Sequence, residues 1–187
     1  MSEIELKITH LPKAEIIHRL QRLGAKKVYS EQLVSDLFFA AKNRTRNKQF
    51  STLRLRSMEN VHQLTIKRKQ KDTKFKVYEE LQIQISDPRV CKKMLELLGY
   101  EVTARREKLR EEYKYKDVVI EIDTYPGMLP YMEIESSRKA SLYEFLHHFG
   151  VDISQTSKQT AKDLIVKSGR NPEFLVFKRH ASIQTRA

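Results

Sequence analysis

Glu3-Ile4-Glu5-Leu6-Lys7-Ile8, at the start of this 187-residue chain, alternates charged and aliphatic residues without a break. On an extended backbone, successive side chains point to opposite faces. Ile4, Leu6 and Ile8 therefore share one face, and Glu3, Glu5 and Lys7 share the other. The same period returns along the chain. Leu53 and Leu55 alternate with Arg54 and Arg56, and Leu64 and Ile66 with Thr65 and Lys67. Val77, Leu81, Ile83 and Ile85 stand opposite Tyr78, Glu80, Gln82 and Gln84. Lys108 and Arg110 form another same-face pair, Ile120 and Ile122 alternate with Glu121 and Asp123, and Met132 and Ile134 with Glu133 and Glu135. Met58-Glu59-Asn60 and Tyr115-Lys116-Asp117 read as hairpin turns. Strands joined mostly without helices predict a largely antiparallel sheet of about eight strands.

Three helices are punctuated in the sequence. Pro12 precedes Ile16, Ile17, Leu20 and Leu23, and Gly24 follows. Asp87-Pro88 opens a second helix that closes before Gly99. Leu142, Phe145, Leu146 and Phe149 define a third, ended by Gly150. Proline at the first turn and glycine just past the last are start and stop signals with a backbone cause. A fourth, shorter helix is expected around 157–168. An acidic strand leads into an amphipathic helix twice, at Glu3/Glu5 and at Glu133/Glu135; two related halves or coincidence would each produce this echo. The expected organisation is one barrel domain over 1–168 and a basic tail over 169–187, either without order or docked on the domain.

Composition narrows the partners. Hydrophobic residues make up 40% and charged residues 32%, which is globular but on the charged side. The formal net charge of +12 favours an anionic partner: nucleic acid, an anionic membrane, a phosphorylated small molecule, or no more than a basic soluble surface. A single cysteine, Cys91, excludes an intrachain disulfide and a cysteine zinc site, and its apolar helical neighbours mark it as a packing residue. No apolar run has the length of a membrane span, and the first strand begins too early for a signal peptide, so a cytoplasmic protein is expected. There is no phosphate-binding loop ending in Lys-Ser or Lys-Thr, and His147 and His148 sit among helix packing residues.

Any one alternating strand is explained by a face on the core and a face in water. The set is harder to explain that way, because the polar faces carry paired ions and not the usual mixture of small polar residues. If the sheet closes with these faces inward, an eight-stranded barrel is about the smallest that holds one small ligand. Its lumen would gather Lys7, Arg54, Arg56, Lys67, Lys69, Lys108 and Arg110 with Glu3, Glu5, Glu80, Asp123, Glu133 and Glu135. Enclosed charges must be paired or solvated. A polyanion with divalent metal satisfies both signs, since Arg and Lys suit phosphate oxygens and clustered carboxylates suit Mg²⁺ or Mn²⁺.

Glu3-Ile4-Glu5-Leu6-Lys7 resembles the Glu-x-Glu-x-Lys signature of the CYTH superfamily, the triphosphate tunnel metalloenzymes. That group includes class IV adenylate cyclases and thiamine and inorganic triphosphatases. In order after it, Leu53-Arg54-Leu55-Arg56, Leu64-Thr65-Ile66-Lys67, Tyr78-Glu79-Glu80-Leu81, Lys108 to Tyr113, Ile120 to Asp123 and Met132 to Glu135 are similar to the family's successive strands. The resemblance covers about residues 1–165. It implies an α+β fold: a closed, mainly antiparallel eight-stranded β-barrel with a charged lumen and helices packed outside.

The resemblance also implies roles. Glu3, Glu5, Glu133 and Glu135, with Asp123, would hold Mg²⁺ or Mn²⁺. Lys7, Arg54, Arg56, Lys67, Lys108 and Arg110 would bind the phosphate chain, and Glu80 would orient a basic neighbour or reach metal through water. Glu5, Lys7 and Arg110 are the expected catalytic residues. Lys69 is a weaker candidate near the rim. Gln82 and Gln84 depart from the more acidic central strand of many relatives, and Thr124–Tyr131 replaces the usual glycine-rich link with a proline-stiffened loop, either a mouth or a connector. The implied substrate is a small triphosphate: ATP, inorganic triphosphate or thiamine triphosphate. The outcome would be cyclic AMP with pyrophosphate, or a diphosphate with phosphate. A homodimer is left open. Rival readings are a basic nucleic-acid-binding protein, disfavoured by carboxylates at both ends of the pattern, and a non-catalytic polyphosphate-binding module.

Overall fold

The computed structural model describes residues 2–42, 50–72 and 75–178, with side chains from residue 4 onward. Element order is β1 (Ser2–Ile8), α1 (Lys13–Leu23), β2 (Lys26–Ala41), β3 (Thr52–Met58), β4 (Val61–Gln70), β5 (Lys76–Gln84), α2 (Pro88–Leu97), β6 (Tyr100–Tyr115), β7 (Val118–Thr124), β8 (Tyr131–Ser136), α3 (Lys139–Phe149), α4 (Ala161–Lys167) and β9 (Phe174–Leu175). The first eight strands pair in the order β2-β3-β4-β5-β1-β8-β7-β6, and β6 returns to β2. Every pairing in that circuit is antiparallel, so it is a closed barrel. Closure leaves no free sheet edge around the circuit.

The closing seam is the part the alternation pattern did not reveal. β2 and β6 are each 16 residues long and pair from Lys26↔Lys114 to Ala41↔Tyr100. Register shifts at Lys27/Tyr29, Tyr29/Gln32 and Phe38/Phe39 interrupt the ladder. Each bulge reverses the side-chain phase, so the period-two signal of β2 is lost while the strand bends around the barrel. The turns expected at Glu59 and Lys116 are there, and both residues adopt positive φ, 50° and 54°.

The hydrophobic core lies outside the barrel wall. α1 and α3 cover β1, β8 and β7, joining Leu6, Ile8, Ile16, Leu20, Ile122, Ile134, Leu142 and Phe145 in one cluster. α2 covers β2 to β4, with Cys91 and Leu95 against Phe39, Leu53 and Leu55. Each such aliphatic or aromatic side chain contributes roughly 1.5–3 kcal/mol on burial. Cys91 is a packing residue, as expected. Leu81 and Ile83 remain exposed, since α2 stops at β4. α2 starts on Asp87, whose carboxylate accepts from the backbone N–H of Arg89 at 2.7 Å and Val90 at 3.2 Å. Gly24 and Gly150 end α1 and α3 at φ 77° and 75°, a left-handed conformation that costs glycine little.

α4 follows residues 157–160 and is shorter than expected. It packs Ile165 under Tyr125 and Tyr131 at one end of the barrel. Beyond it, β9 runs parallel to β6 at Arg105 and Arg106, beside the stretch that β7 does not reach. The first part of the tail is therefore docked; residues 179–187 lie outside the described residues. Among the described residues, no helix is long and apolar enough to cross a membrane.

Candidate active site in the barrel lumen

Because the aliphatic faces turn out to the helices, the ionic faces turn in. They enclose a cavity of about 480 Å³, lined by nine cationic side chains and seven carboxylates. The cationic excess favours an anion, while enough carboxylate remains to bind a cation.

Glu5, Lys7, Arg54, Arg56, Lys67, Glu80, Lys108, Arg110, Glu133 and Glu135 all line this one space. Asp123 is fully buried in the wall behind Lys108 and Arg110. Glu3 belongs to β1 opposite Tyr78, but its side chain lies outside the described residues. Lys69 is exposed and does not line the cavity. Glu80 accepts an ion pair from Lys67 at 2.9 Å. Tyr125 and Tyr131, at the ends of the Thr124–Tyr131 loop, are buried, stack at 6.4 Å and line the cavity. That loop therefore forms part of one end of the lumen as well as connecting β7 to β8.

On the acidic wall, β1 and β8 pair Glu5 with Glu135 and Lys7 with Glu133. Glu5, Glu133 and Glu135 each offer a carboxylate oxygen within 4.8 Å of the others, and Glu121, Asp123 and Glu133 form a second such group. Lys7 Nζ lies 3.1 Å from Glu5 and also contacts Glu133. Burial alone would discharge Lys7, but Glu133 and Glu5 outweigh it and hold the ammonium well above the usual lysine range. Burial would raise Glu5, but Lys7 and Lys76 bring it down to about 2. Glu133 moves up, through burial first and then repulsion from Glu5, Glu121 and Asp123 against the pull of Lys7. The opposite balances share one cause: Lys7 faces two carboxylates, whereas Glu133 faces one ammonium and three carboxylates.

On the basic wall, Asp123 Oδ2 accepts from Lys108 Nζ and Arg110 Nη2, both at 2.7 Å, and Oδ1 from Arg110 Nε at 2.6 Å. Arg110 also contacts Glu121. Burial lowers Lys108 to about 8, helped by Arg110 and Arg56 and opposed by Asp123. On the adjoining strand, Asp36 of β2 holds Arg56 through two hydrogen bonds, of 2.8 and 3.1 Å, and Arg54 at 3.8 Å. Arg54 Nε is buried without a hydrogen-bond partner among the described residues. An unsatisfied buried N–H costs about 1–3 kcal/mol, which a phosphate oxygen would recover.

Several lumen residues were not among the expected ones: Asp36, Lys76, Arg106, Glu112, Glu121 and Lys162. Glu121 and Arg106 were readable, each standing two positions from an expected residue on the same strand. Lys76 is likewise two positions from Tyr78; it binds Glu5 and donates to Gln159 O at 3.0 Å. Asp36 carried no signal, because β2 is apolar on both faces around it, with Val34 and Phe38 inward and Leu33 and Leu37 outward. Arg106 donates to Pro172 O at 2.6 Å and lies 4.4 Å from the centre of the Phe38 ring, tying the C-terminal segment to this end of the barrel.

Comparison with known proteins agrees with this architecture. The CYTH domain profile matches residues 1–164. A Methanocaldococcus jannaschii protein named "putative adenylate cyclase" is 27% identical over 137 residues, which are 73% of this chain and 78% of that protein. The solved structure of PH1819 from Pyrococcus horikoshii OT3 superposes with a TM-score of 0.70 at 22% identity, covering 89% of this chain and 99% of that one. A Hippeastrum protein, described as a "putative adenylyl cyclase" with a dominant triphosphatase activity, superposes with a TM-score of 0.63 at 19% identity, covering 91% of this chain and 96% of that one. With the matched profile spanning the whole barrel, the chain belongs to the CYTH domain family.

Proposed function

We propose that this CYTH-type enzyme binds a triphosphate compound in its lumen and cleaves it by in-line displacement at phosphorus, with Mg²⁺ or Mn²⁺ bound by carboxylates. The observation that carries the reading is that Glu5, Glu133 and Glu135 converge on one side of the same cavity that Arg54, Arg56, Lys67, Lys108 and Arg110 line. The names of the M. jannaschii and Hippeastrum relatives point the same way.

The donor set of three carboxylates fits a hard divalent ion. Glu5, Glu133 and Glu135 would hold the ion, with Glu3 the further acidic residue of the same strand face. Asp123 has both oxygens engaged by Lys108 and Arg110, which favours orienting those cations over direct ligation. When bound, the ion supplies charge neutralisation at phosphate oxygens and a template for substrate and attacking oxygen.

The protein's own groups do the rest. Lys7 stays an ammonium beside the acidic cluster and offers a fixed positive charge, not a base. Arg110, braced by Asp123 and Glu121, is already oriented before substrate arrives, so it stabilises developing charge with little reorganisation. Arg54 and Arg56 present planar donors to phosphate oxygens, and Lys67 and Lys108 add point charges. Such a site works by positioning and electrostatics and needs no covalent intermediate. A ribose hydroxyl as nucleophile yields cyclic AMP and pyrophosphate; water yields a diphosphate and phosphate.

The test is purified protein with Mg²⁺ or Mn²⁺, given ATP, inorganic triphosphate and thiamine triphosphate, with products separated. Metal-dependent cleavage of at least one is expected. Tight metal-dependent binding with no product would make the chain a polyphosphate-binding module. A salt-sensitive gel shift without triphosphate binding would make it a nucleic-acid binder.

A further inference from the structure

On the outside of the barrel, α2 leaves part of the wall bare. β5 ends at Gln84 and α2 starts at Pro88, so the helix doubles back along the outer surface. The backbone N–H of Lys42 donates to Gly99 O at 3.0 Å, which fixes the far end of the helix beside β2. Cys91 and Leu95 turn inward; at 3.6 residues per turn, positions 92 and 96 then fall on one flank and 90, 94 and 97 on the other. Lys92 and Glu96 stand over a hollow with Leu37 of β2 and Val102 and Arg105 of β6. Val90, Met94 and Leu97 therefore turn toward β4 and β5. There Leu81 and Ile83 share the outward phase of β5, paired with Ile66 and Leu64 of β4. The cluster under α1 and α3 stops at Val77 of this strand. A bare shelf of Leu81 and Ile83 thus runs beside a bare ridge of Val90, Met94 and Leu97, and all five are between 55% and 76% exposed.

We infer that this face is the interface of a twofold homodimer, with the α2 ridge of each copy seated on the β5 shelf of the other. The inner side of α2 covers β2 to β4, and the helix of the second copy supplies the cover that β5 lacks. A second copy fits because ridge and shelf lie side by side on one chain. A twofold axis between them brings each onto the other, so the patch is its own complement. The five side chains expose about 600 Å² of apolar surface, where a standard interface takes about 800 Å² from each partner, about 60% of it apolar. The charges stand at the rim: Lys93 one turn before Leu97, and the Arg68–Glu79 pair, at 3.4 Å, one step along from Ile66 and Leu81. An acidic partner, the kind that a net charge of +12 attracts, meets no cation among the five. Such pairing is independent of what the lumen binds.

The experiment is sedimentation equilibrium of the full chain at micromolar concentration, in low and in high salt. The unaltered protein is expected to sediment as a dimer that tightens as salt rises, since screening weakens the repulsion between two copies of charge +12. Leu81→Glu and Met94→Glu change positions that are exposed in the single copy, so far-ultraviolet circular dichroism stays unchanged. Each raises the dissociation constant at least about 30-fold, the cost of losing a central interface contact. Glutamate lowers the net charge, so general repulsion does not account for that loss. Leu129→Glu, at an 87% exposed position in the Thr124–Tyr131 loop, leaves association unchanged. A monomeric unaltered protein, a dimer that persists in both face variants, one that Leu129→Glu breaks equally, or one that dissociates as salt rises overturns the proposed interface.

Discussion

Asp36 is the perturbation from which the lumen electrostatics can be measured. Its carboxylate is 2% exposed and holds two guanidiniums, Arg56 at 2.8 and 3.1 Å and Arg54 at 3.8 Å. Asp36→Asn keeps the shape and removes the charge, leaving both cations buried and facing each other. Breaking a buried pair from one side costs about 3–5 kcal/mol. For a chain of this length each kcal/mol moves the melting temperature by about 2–4 °C, so a fall of about 6–20 °C is expected. Inorganic triphosphate should raise the melting temperature of the variant more than that of the unaltered protein, because the polyanion restores the missing negative charge.

The pH dependence of Asp36 has a defined sign. Burial pushes its carboxyl up, but Arg56 and Arg54 overcome this and hold it far below the usual carboxylate range. A depressed folded-state value means the stabilisation is complete above the unfolded value of about 4 and drains away as pH falls toward the folded one. The unaltered protein should therefore lose stability more steeply than Asp36→Asn below about pH 4. Urea denaturation at neutral pH and across that acid range measures both effects. A variant within about 1 kcal/mol of the unaltered protein, a shift typical of ordinary substitutions, would refute the reasoning.

Three further outcomes are expected. Glu135→Gln should weaken Mn²⁺ binding at least about tenfold and abolish metal-dependent turnover while far-ultraviolet circular dichroism stays unchanged; retained turnover would remove Glu135 from the ligand set. Asp123→Asn should loosen Lys108 and Arg110 and lower inorganic triphosphate affinity about tenfold, the order expected when a buried ionic partner is lost, and calorimetry reads this directly. Phe145→Ala, on the outer face of the barrel wall, should cost about 3–5 kcal/mol in urea denaturation without changing triphosphate affinity in the folded protein.

The strands that carried the ionic motifs were legible because each is regular over its motif. β1, β3, β4, β7 and β8 keep strict alternation, so Glu5 with Lys7, Arg54 with Arg56, and Glu133 with Glu135 could be assigned to one face from sequence order alone. β2 was not legible. Apolar Val34 and Phe38 sit on the inward phase beside Asp36, apolar Leu33 and Leu37 sit on the outward phase, and bulges shift the register on either side of this stretch. The strand that closes the barrel, and the aspartate that neutralises the Arg54–Arg56 pair, therefore had no periodic signature.

The amino-acid sequence alone determined which side chains travel together: an aliphatic face and an ionic face on each strand, helices bounded by Pro12, Asp87, Gly24 and Gly150, and a family resemblance along 1–165. Those are local properties, set by a two-residue repeat and by caps only a few residues long. Tertiary structure decided which ions face one another. The partnerships of Lys7 with Glu133 and of Asp36 with Arg56 depend on strand register and barrel closure. Register and closure join residues far apart in the chain, and the free energies that select them come from packing against α1, α2 and α3, not from any one segment.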